Sequence, residues 1–159
     1  MIITCQTGYM VEVAADTLDD ACLDGLNLHR AILDEQRMRR ASLVATDLRG
    51  ALLSKADLTD ANMERASLIT AFLTGASLRS ANLRGCRAIG CQFDDADLAC
   101  ADLDSADVWN ANFNGANLLG ARLTCDRIET ASFKRALFDK TTTWPLGFDP
   151  LCAGAIQVG

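Results

Sequence analysis

Cysteine offers the most reactive chemistry in this chain, which has seven cysteines and a single histidine. Cys86 and Cys91 suggest a zinc site at first, because paired thiolates are common zinc ligands. Their spacer of four residues is longer than in a usual zinc knuckle, and no second Cys/His pair follows. The odd number and irregular spacing of the cysteines argue against a disulfide framework and favour a reducing compartment. We therefore expect Cys86 and Cys91 to be buried thiols, with no metal and no cofactor.

Carboxylates are the other group that could support catalysis. Six of them crowd one segment: Asp94, Asp95, Asp97, Asp102, Asp104 and Asp107. Paired carboxylates act as general acid and base only when the fold brings them face to face. His29 is the single histidine, and no catalytic triad spacing, phosphate-binding loop or HExxH motif occurs. We assign no catalytic, cofactor-binding or metal-binding residue and expect the protein not to be an enzyme.

The elements that would position these side chains are defined by a repeat of five residues. The central residue of each block is apolar without interruption from Leu18 to Phe138, which makes 25 blocks, and it is leucine in sixteen of them. The residue two positions earlier is alanine in 18 blocks, as in ADLTD, ASLIT, ANLRG and ANFNG. A fixed short period of this kind predicts a stacked solenoid.

The spacing within the repeat predicts the shape of each coil. The alanine and the central residue are two positions apart, so both point inward from an extended segment. The next alanine is three positions further on, which breaks the alternation and requires a corner. Phe93, Phe113 and Phe133 are spaced by twenty residues, which suggests that four blocks complete one coil. The sequence thus predicts an all-β solenoid with a square cross-section and about six coils, roughly 30 Å long at one layer spacing per coil. Carboxylates in successive blocks then form a belt around the rod.

The A-[DN]-L-x-x pattern over residues 16–140 resembles the pentapeptide-repeat family. The resemblance implies a right-handed quadrilateral parallel β-helix. The closing segment TTTWPLGFDP is similar to the ending of many cyanobacterial members. Asp126 departs from the pattern because it occupies an alanine position, where a buried carboxylate would need hydrogen-bond donors.

The terminal segments are expected to close the two ends of the solenoid, whose bare strand edges would otherwise aggregate. Residues 1–15 predict a small hairpin or capping segment, since IITC and YMVEV flank a turn that contains Gly8. Residues 16–140 form the repeat, and residues 141–159 predict a capping tail in which Trp144 and Phe148 cover the last coil.

Large apolar residues at outward positions are the only feature that the repeat pattern does not account for. Ile32, Leu52 and Phe72 lie twenty residues apart on one face, and a second series with the same spacing lies on the adjacent face. Ile69 and Phe72 meet across the shared corner. We define the apolar stripe as five of these residues: Leu52, Ile69, Phe72, Ile89 and Trp109. A contiguous patch of this kind predicts a contact surface, unless a terminal segment folds over it.

Charge and composition argue against several classes of function. The net charge of −6 argues against direct binding to nucleic acid, and no apolar run is long enough to span a membrane. The N-terminus lacks the basic start of a secretory signal, so we expect a cytoplasmic protein. We interpret the chain as a non-enzymatic interaction module that binds a protein partner or a second copy of itself. Some members of the resembled family mimic DNA and bind type II topoisomerases, so an acidic rod that binds gyrase is the alternative. A third hypothesis is that the protein is an enzyme.

Overall fold

The computed structural model describes residues 1–159, and most of the chain is a stack of coils joined by parallel β-bridges. The bridges connect residues twenty apart in four columns, as in Asn27↔Asp47, Ile32↔Leu52 and Arg37↔Asp57. Backbone hydrogen bonds follow the same spacing, and the N–H of Leu33 donates to the carbonyl of Leu52 at 2.8 Å. The twenty-residue coil that the phenylalanine spacing predicts is therefore confirmed as a parallel β-helix with four sides.

Each corner is a tight turn with a residue in the left-handed region of backbone space. Sixteen residues other than glycine have a positive φ, including Lys55 at 57°. Such residues are uncommon in proteins because Cβ crowds the backbone. The coils compensate through hydrogen bonds: the N–H of Lys55 donates to Thr74 in the next coil at 3.0 Å, and the N–H of Ala56 closes the turn on Leu53 at 3.1 Å. Stacking thus stabilises the corners, which explains why glycine is not required there.

The interior contains only the two inward positions of each block. Central residues such as Leu78 and Leu98 have no exposed surface, and neither do alanines such as Ala76. Phe93 and Phe113 stack with ring centroids 4.8 Å apart, and Phe113 and Phe133 stack at 5.0 Å with rings 1° from parallel. One phenylalanine column therefore continues through three coils.

The register of the repeat breaks once, and this corrects the expectation for Asp126. The bridge Asp107↔Asp126 spans nineteen residues instead of twenty. Cys125 is the buried residue at the alanine position, and its thiol lies 3.4 Å from the carbonyl of Leu103. Asp126 therefore points outward and is exposed, so it needs no buried donors. A 3₁₀ helix, Ile128–Thr130, restores the register while Ile128 still fills the core.

A β-hairpin lies at the first coil. Strand β1 (Ile2–Thr4) pairs antiparallel with β2 (Met10–Glu12). The N–H of Ile32 donates to the carbonyl of Thr4 at 2.8 Å, so β1 covers one edge of the first coil. Ile3 and Val11 point inward and are buried.

The tail packs against the opposite end of the stack. Strand β3 (Leu137–Phe138) pairs in parallel with β4 (Ile156–Gln157). The ring of Trp144 packs edge-on against Phe133 at 5.4 Å and against Phe138 at 5.6 Å, and Phe148 also contacts Phe133. These aromatic rings end the phenylalanine column. The protein has no helix whose length and apolar character would suit a membrane crossing.

Candidate interaction surface

The stripe residues occupy consecutive coils along one corner of the rod. Leu52 pairs with Phe72 in the next coil, and the N–H of Gly90 donates to the carbonyl of Trp109 at 2.8 Å. The exposed fraction of Phe72 is 45% and that of Trp109 is 43%, whereas Leu52, Ile69 and Ile89 are half-buried. Neither terminal segment covers the two aromatic rings. The fold thus brings all five residues together as a continuous surface.

Trp109 is held in place by a neighbour that the sequence analysis did not single out. The guanidinium carbon of Arg127 lies 5.7 Å from the centroid of the Trp109 ring, which is within cation–π distance. Arg127 is itself held by Asp107, whose Oδ1 accepts a hydrogen bond from the Arg127 Nε at 2.9 Å. The same carboxylate accepts the backbone N–H of Trp109. The sequence did contain one signal for the contact between Asp107 and Arg127: the two residues are twenty positions apart, which is the length of one coil.

Exposed apolar surface also continues past the stripe towards the N-terminus. Ile32 precedes Leu52 in the same column and is 47% exposed. Beyond Ile32, the hairpin exposes Tyr9 and Met10. A cleft of about 260 Å³ opens between β1 and the first coil, with Ile2 and Ile32 in its walls. The sequence aligned Ile32 with the stripe but could not align the hairpin residues with it, because the hairpin lies outside the repeat.

The aspartates of the fifth coil do not form an acid/base site. Asp102 lies 3.3 Å from the guanidinium of Arg84 and 3.1 Å from that of Arg122. Asp104 lies 2.7 Å from Arg84. A hydrogen bond from the Thr124 hydroxyl, followed by the nearby arginines, lowers the pKa of Asp104 below its ordinary value. These carboxylates are partners in ladders of opposite charge that connect successive coils.

The cysteines show no arrangement for metal binding or nucleophilic catalysis. Burial raises the pKa of Cys86 to about 12 and raises that of Cys91 well above its ordinary value, so neither is a thiolate at neutral pH. All seven cysteines are free. No three His, Cys, Asp or Glu side chains are grouped so that they could hold a metal ion. His29 is exposed.

The fold defines this protein as a β-solenoid with an exposed apolar stripe on its outer wall. The family model for pentapeptide repeats matches eight copies, over residues 37–75, 76–108 and 101–125. The chain therefore belongs to the pentapeptide-repeat family, as its A-[DN]-L-x-x pattern predicts.

Several solved structures of this family are similar to the chain. HetL, which is involved in heterocyst differentiation regulation in the cyanobacterium Nostoc sp. strain PCC 7120, has a TM-score of 0.72 and 25% sequence identity. The match covers 87% of this chain and 66% of HetL, so the chain spans just under two thirds of that protein. The Nostoc protein alr5209 has 32% identity and a TM-score of 0.43, with 69% of this chain and 86% of alr5209 covered.

A third similar structure is QnrB1, a plasmid-mediated fluoroquinolone resistance protein. It has 15% identity and a TM-score of 0.38, with 80% of this chain and 79% of QnrB1 covered. A sequence search of well-characterised proteins returned no match.

Proposed function

We propose that this protein is a non-enzymatic interaction module whose apolar stripe binds a protein partner. In this proposal the module is a rigid, right-handed rod of about six coils. The single observation that carries it is the alignment of Phe72 and Trp109, both almost half exposed, with three half-buried aliphatic side chains between and beside them. Contiguous apolar patches on monomers commonly mark interaction sites.

The stripe has the properties of a prepared contact surface. Trp and Phe supply more contact area than other residues and dominate the binding energy at interfaces. The hydrogen bonds and ion pair around Asp107 and Arg127 restrict Trp109 before any partner arrives. Restricting an anchor in advance lowers the entropy lost on binding. The repeat also holds the other stripe residues at the fixed spacing between successive coils.

The wider comparisons support a binding role over an enzymatic one. HetL is involved in regulation, which a protein can perform by binding alone. The core leaves no room for a substrate, because inward positions such as Ala76 and Leu78 are fully buried. The free cysteines support our proposal of a reducing, cytoplasmic setting.

The gyrase alternative receives less support from the charge layout. A DNA mimic presents carboxylates free to meet the cationic surface of its target, yet Asp97, Asp102 and Asp104 are paired with arginines of this chain. A supercoiling assay with purified gyrase tests the alternative directly. If this protein inhibited or protected gyrase at a stoichiometric ratio, the result would favour DNA mimicry over partner binding through the stripe.

The experiment for the proposed function replaces Phe72 and Trp109 together by serine. The matched control replaces Leu146 and Leu151, which are also exposed apolar residues but lie in the tail. Both double variants should melt close to the parent, since none of the four side chains fills the core. The stripe variant alone should lose partner capture, measured by quantitative pull-down from the source organism. Equal capture by both variants would show that the stripe is not the contact surface.

A further inference from the structure

Most of the arginines in this protein have an internal carboxylate partner. The chain has twelve arginines, and nine of them lie within 4.0 Å of an Asp or Glu oxygen. The three exceptions are Arg30, Arg87 and Arg135. Two of these, Arg30 and Arg87, border the apolar stripe. Two arginines without an internal carboxylate partner thus lie beside the exposed apolar surface of a chain whose net charge is −6.

Arg30 stands at the wall of an open groove. The groove has a volume of about 310 Å³ and is lined by Gln6, His29, Arg30, Gly50, Thr70 and Phe72. It exists because Gly50 has no side chain at the corner between Arg30 and Thr70, and a Cβ added there would lie 3.3 Å from the Cγ of Arg30. The Arg30 Nε donates to the Gln6 Oε1 at 3.2 Å. The remaining guanidinium N–H groups are available to a ligand next to Phe72.

Arg87 occupies the same outward face as Ile89, two residues before it. In its column Arg87 pairs with Ser67 on one side and Asp107 on the other. Asp107 is the nearest acidic neighbour along the column, but it is already engaged by Arg127 through both carboxylate oxygens. Arg87 therefore keeps its charge without an internal partner, three coils along the rod from Arg30, or about 14 Å.

The edge of the stripe beyond Phe72 carries two acidic residues. Phe72 pairs with Gln92 in the next coil, and Asp94 follows Gln92 on the same outward face. Asp94 and its neighbour Asp95 form no ion pair within the chain. The stripe thus has one unpaired cation on its corner at the N-terminal end, Arg30, and another along the edge beside Ile89, Arg87, whereas unpaired carboxylates lie along the edge beyond Phe72.

We propose that the stripe binds an acidic, apolar-bearing peptide segment of a partner protein. The apolar side chains of the segment cover Phe72, Ile69 and Ile89. Its carboxylates face Arg30 and Arg87, where the planar guanidinium can form paired hydrogen bonds with a carboxylate. Asp94 and Asp95 repel carboxylates at the opposite edge, which gives the segment a defined orientation. This inference rests on the proposed function and adds the charge and orientation of the partner.

The test uses the full chain and a phage-displayed library of random linear peptides. Peptides selected on the parent should be rich in Asp and Glu beside apolar residues. Their affinity is then measured by fluorescence anisotropy against the double variant Arg30→Gln with Arg87→Gln. The matched control is Lys134→Gln with Arg135→Gln, which removes two unpaired cations that lie two coils beyond Asp94 and Asp95 and away from Arg30 and Arg87. The first pair should weaken binding about three- to tenfold at low salt and reduce its salt dependence, while the control stays near the parent.

The outcomes separate this inference from the proposed function. If selected peptides lose binding with Phe72→Ser and Trp109→Ser but are not acidic, or bind both charge variants equally, the acidic partner is wrong and the stripe stands. If the serine variant binds them normally, the proposed function itself fails. If sedimentation shows a dimer of the parent that the serine variant abolishes, the occupant is a second copy, and the acidic peptide is refuted.

Discussion

Replacing Phe113 by leucine tests whether stacking along one column contributes stability beyond simple burial. Phe113 is fully buried between Phe93 and Phe133, at 4.8 and 5.0 Å. Leucine keeps the position apolar, and leucine occupies the same column in earlier coils, at Leu53 and Leu73. The substitution therefore removes two stacked contacts while largely preserving the burial of apolar surface.

The expected magnitude follows from the number of stacked partners. An aromatic pair contributes about 0.5–1.5 kcal/mol beyond its buried area, so Phe113→Leu should lower the free energy of unfolding by about 1–3 kcal/mol. Phe93 stacks on Phe113 only, because the preceding coil has Leu73 in that column. Phe93→Leu should therefore cost about half as much. Truncating Phe113 to alanine also opens a cavity and should cost about 3–5 kcal/mol.

The assay is urea unfolding followed by far-UV circular dichroism, with the midpoint and slope compared among variants. Phe72→Ala serves as the control, because Phe72 is an outward residue and should change stability by less than about 0.5 kcal/mol. If Phe113→Leu lowered the free energy of unfolding no more than Phe93→Leu does, stacking would not be a contribution separate from burial. If Phe72→Ala were as destabilising as Phe113→Ala, the assignment of inward and outward positions would be wrong.

Three further predictions follow from the core, the thiols and one carboxylate. Ala76→Leu should destabilise the fold by about 1–3 kcal/mol because the inward slot is full, whereas Thr74→Leu, at an exposed position, should melt near the parent. Cys86 and Cys91 should react with a thiol reagent only after unfolding, and purified protein should contain no stoichiometric zinc by elemental analysis. The thiols expected to be accessible to the reagent in the folded state are the exposed ones: Cys22, Cys100 and Cys152. Hydrogen bonds from Thr141, Gly120 and Thr142, partly opposed by desolvation, lower the pKa of Asp139 to about 2. Its stabilising contribution is complete above the unfolded value of about 3.9 and lost as pH falls towards 2, so the difference in urea midpoint between parent and Asp139→Asn should shrink over that range.

The fold could be predicted from the repeat, because the period of the repeat indicates which side chains face inward. A residue such as Leu78 recurs at the centre of a five-residue block, and only a coil that turns at every block can bury all such residues at once. The twenty-residue spacing of the phenylalanines then identified which residues are neighbours in successive coils. The same arithmetic placed Phe72 beside Ile69 across a corner, so the stripe was predictable from spacing alone.

Spacing could not reveal features that depend on a change of register. The chain omits one residue before Asp126, and the following 3₁₀ helix restores the phase, so Ile128 remains inward and the apolar period continues unbroken in the sequence. Nothing in the pattern therefore signals that Cys125 is buried in place of Asp126.

The sequence by itself determined the solenoid, its inward residues and the line of the stripe, because these depend on local periodicity. The tertiary structure decided where the hairpin sits against Ile32, and which charges find partners between coils. Those outcomes depend on distances between side chains that are remote in sequence and on corners whose backbone is stabilised only after stacking. Arg40 and Arg30 occupy the same corner position in the repeat, yet Arg40 forms two hydrogen bonds with the carboxylate of Asp20 and Arg30 has no carboxylate within reach. Only the packed coils distinguish an arginine that stabilises the rod from one that is free to bind a partner.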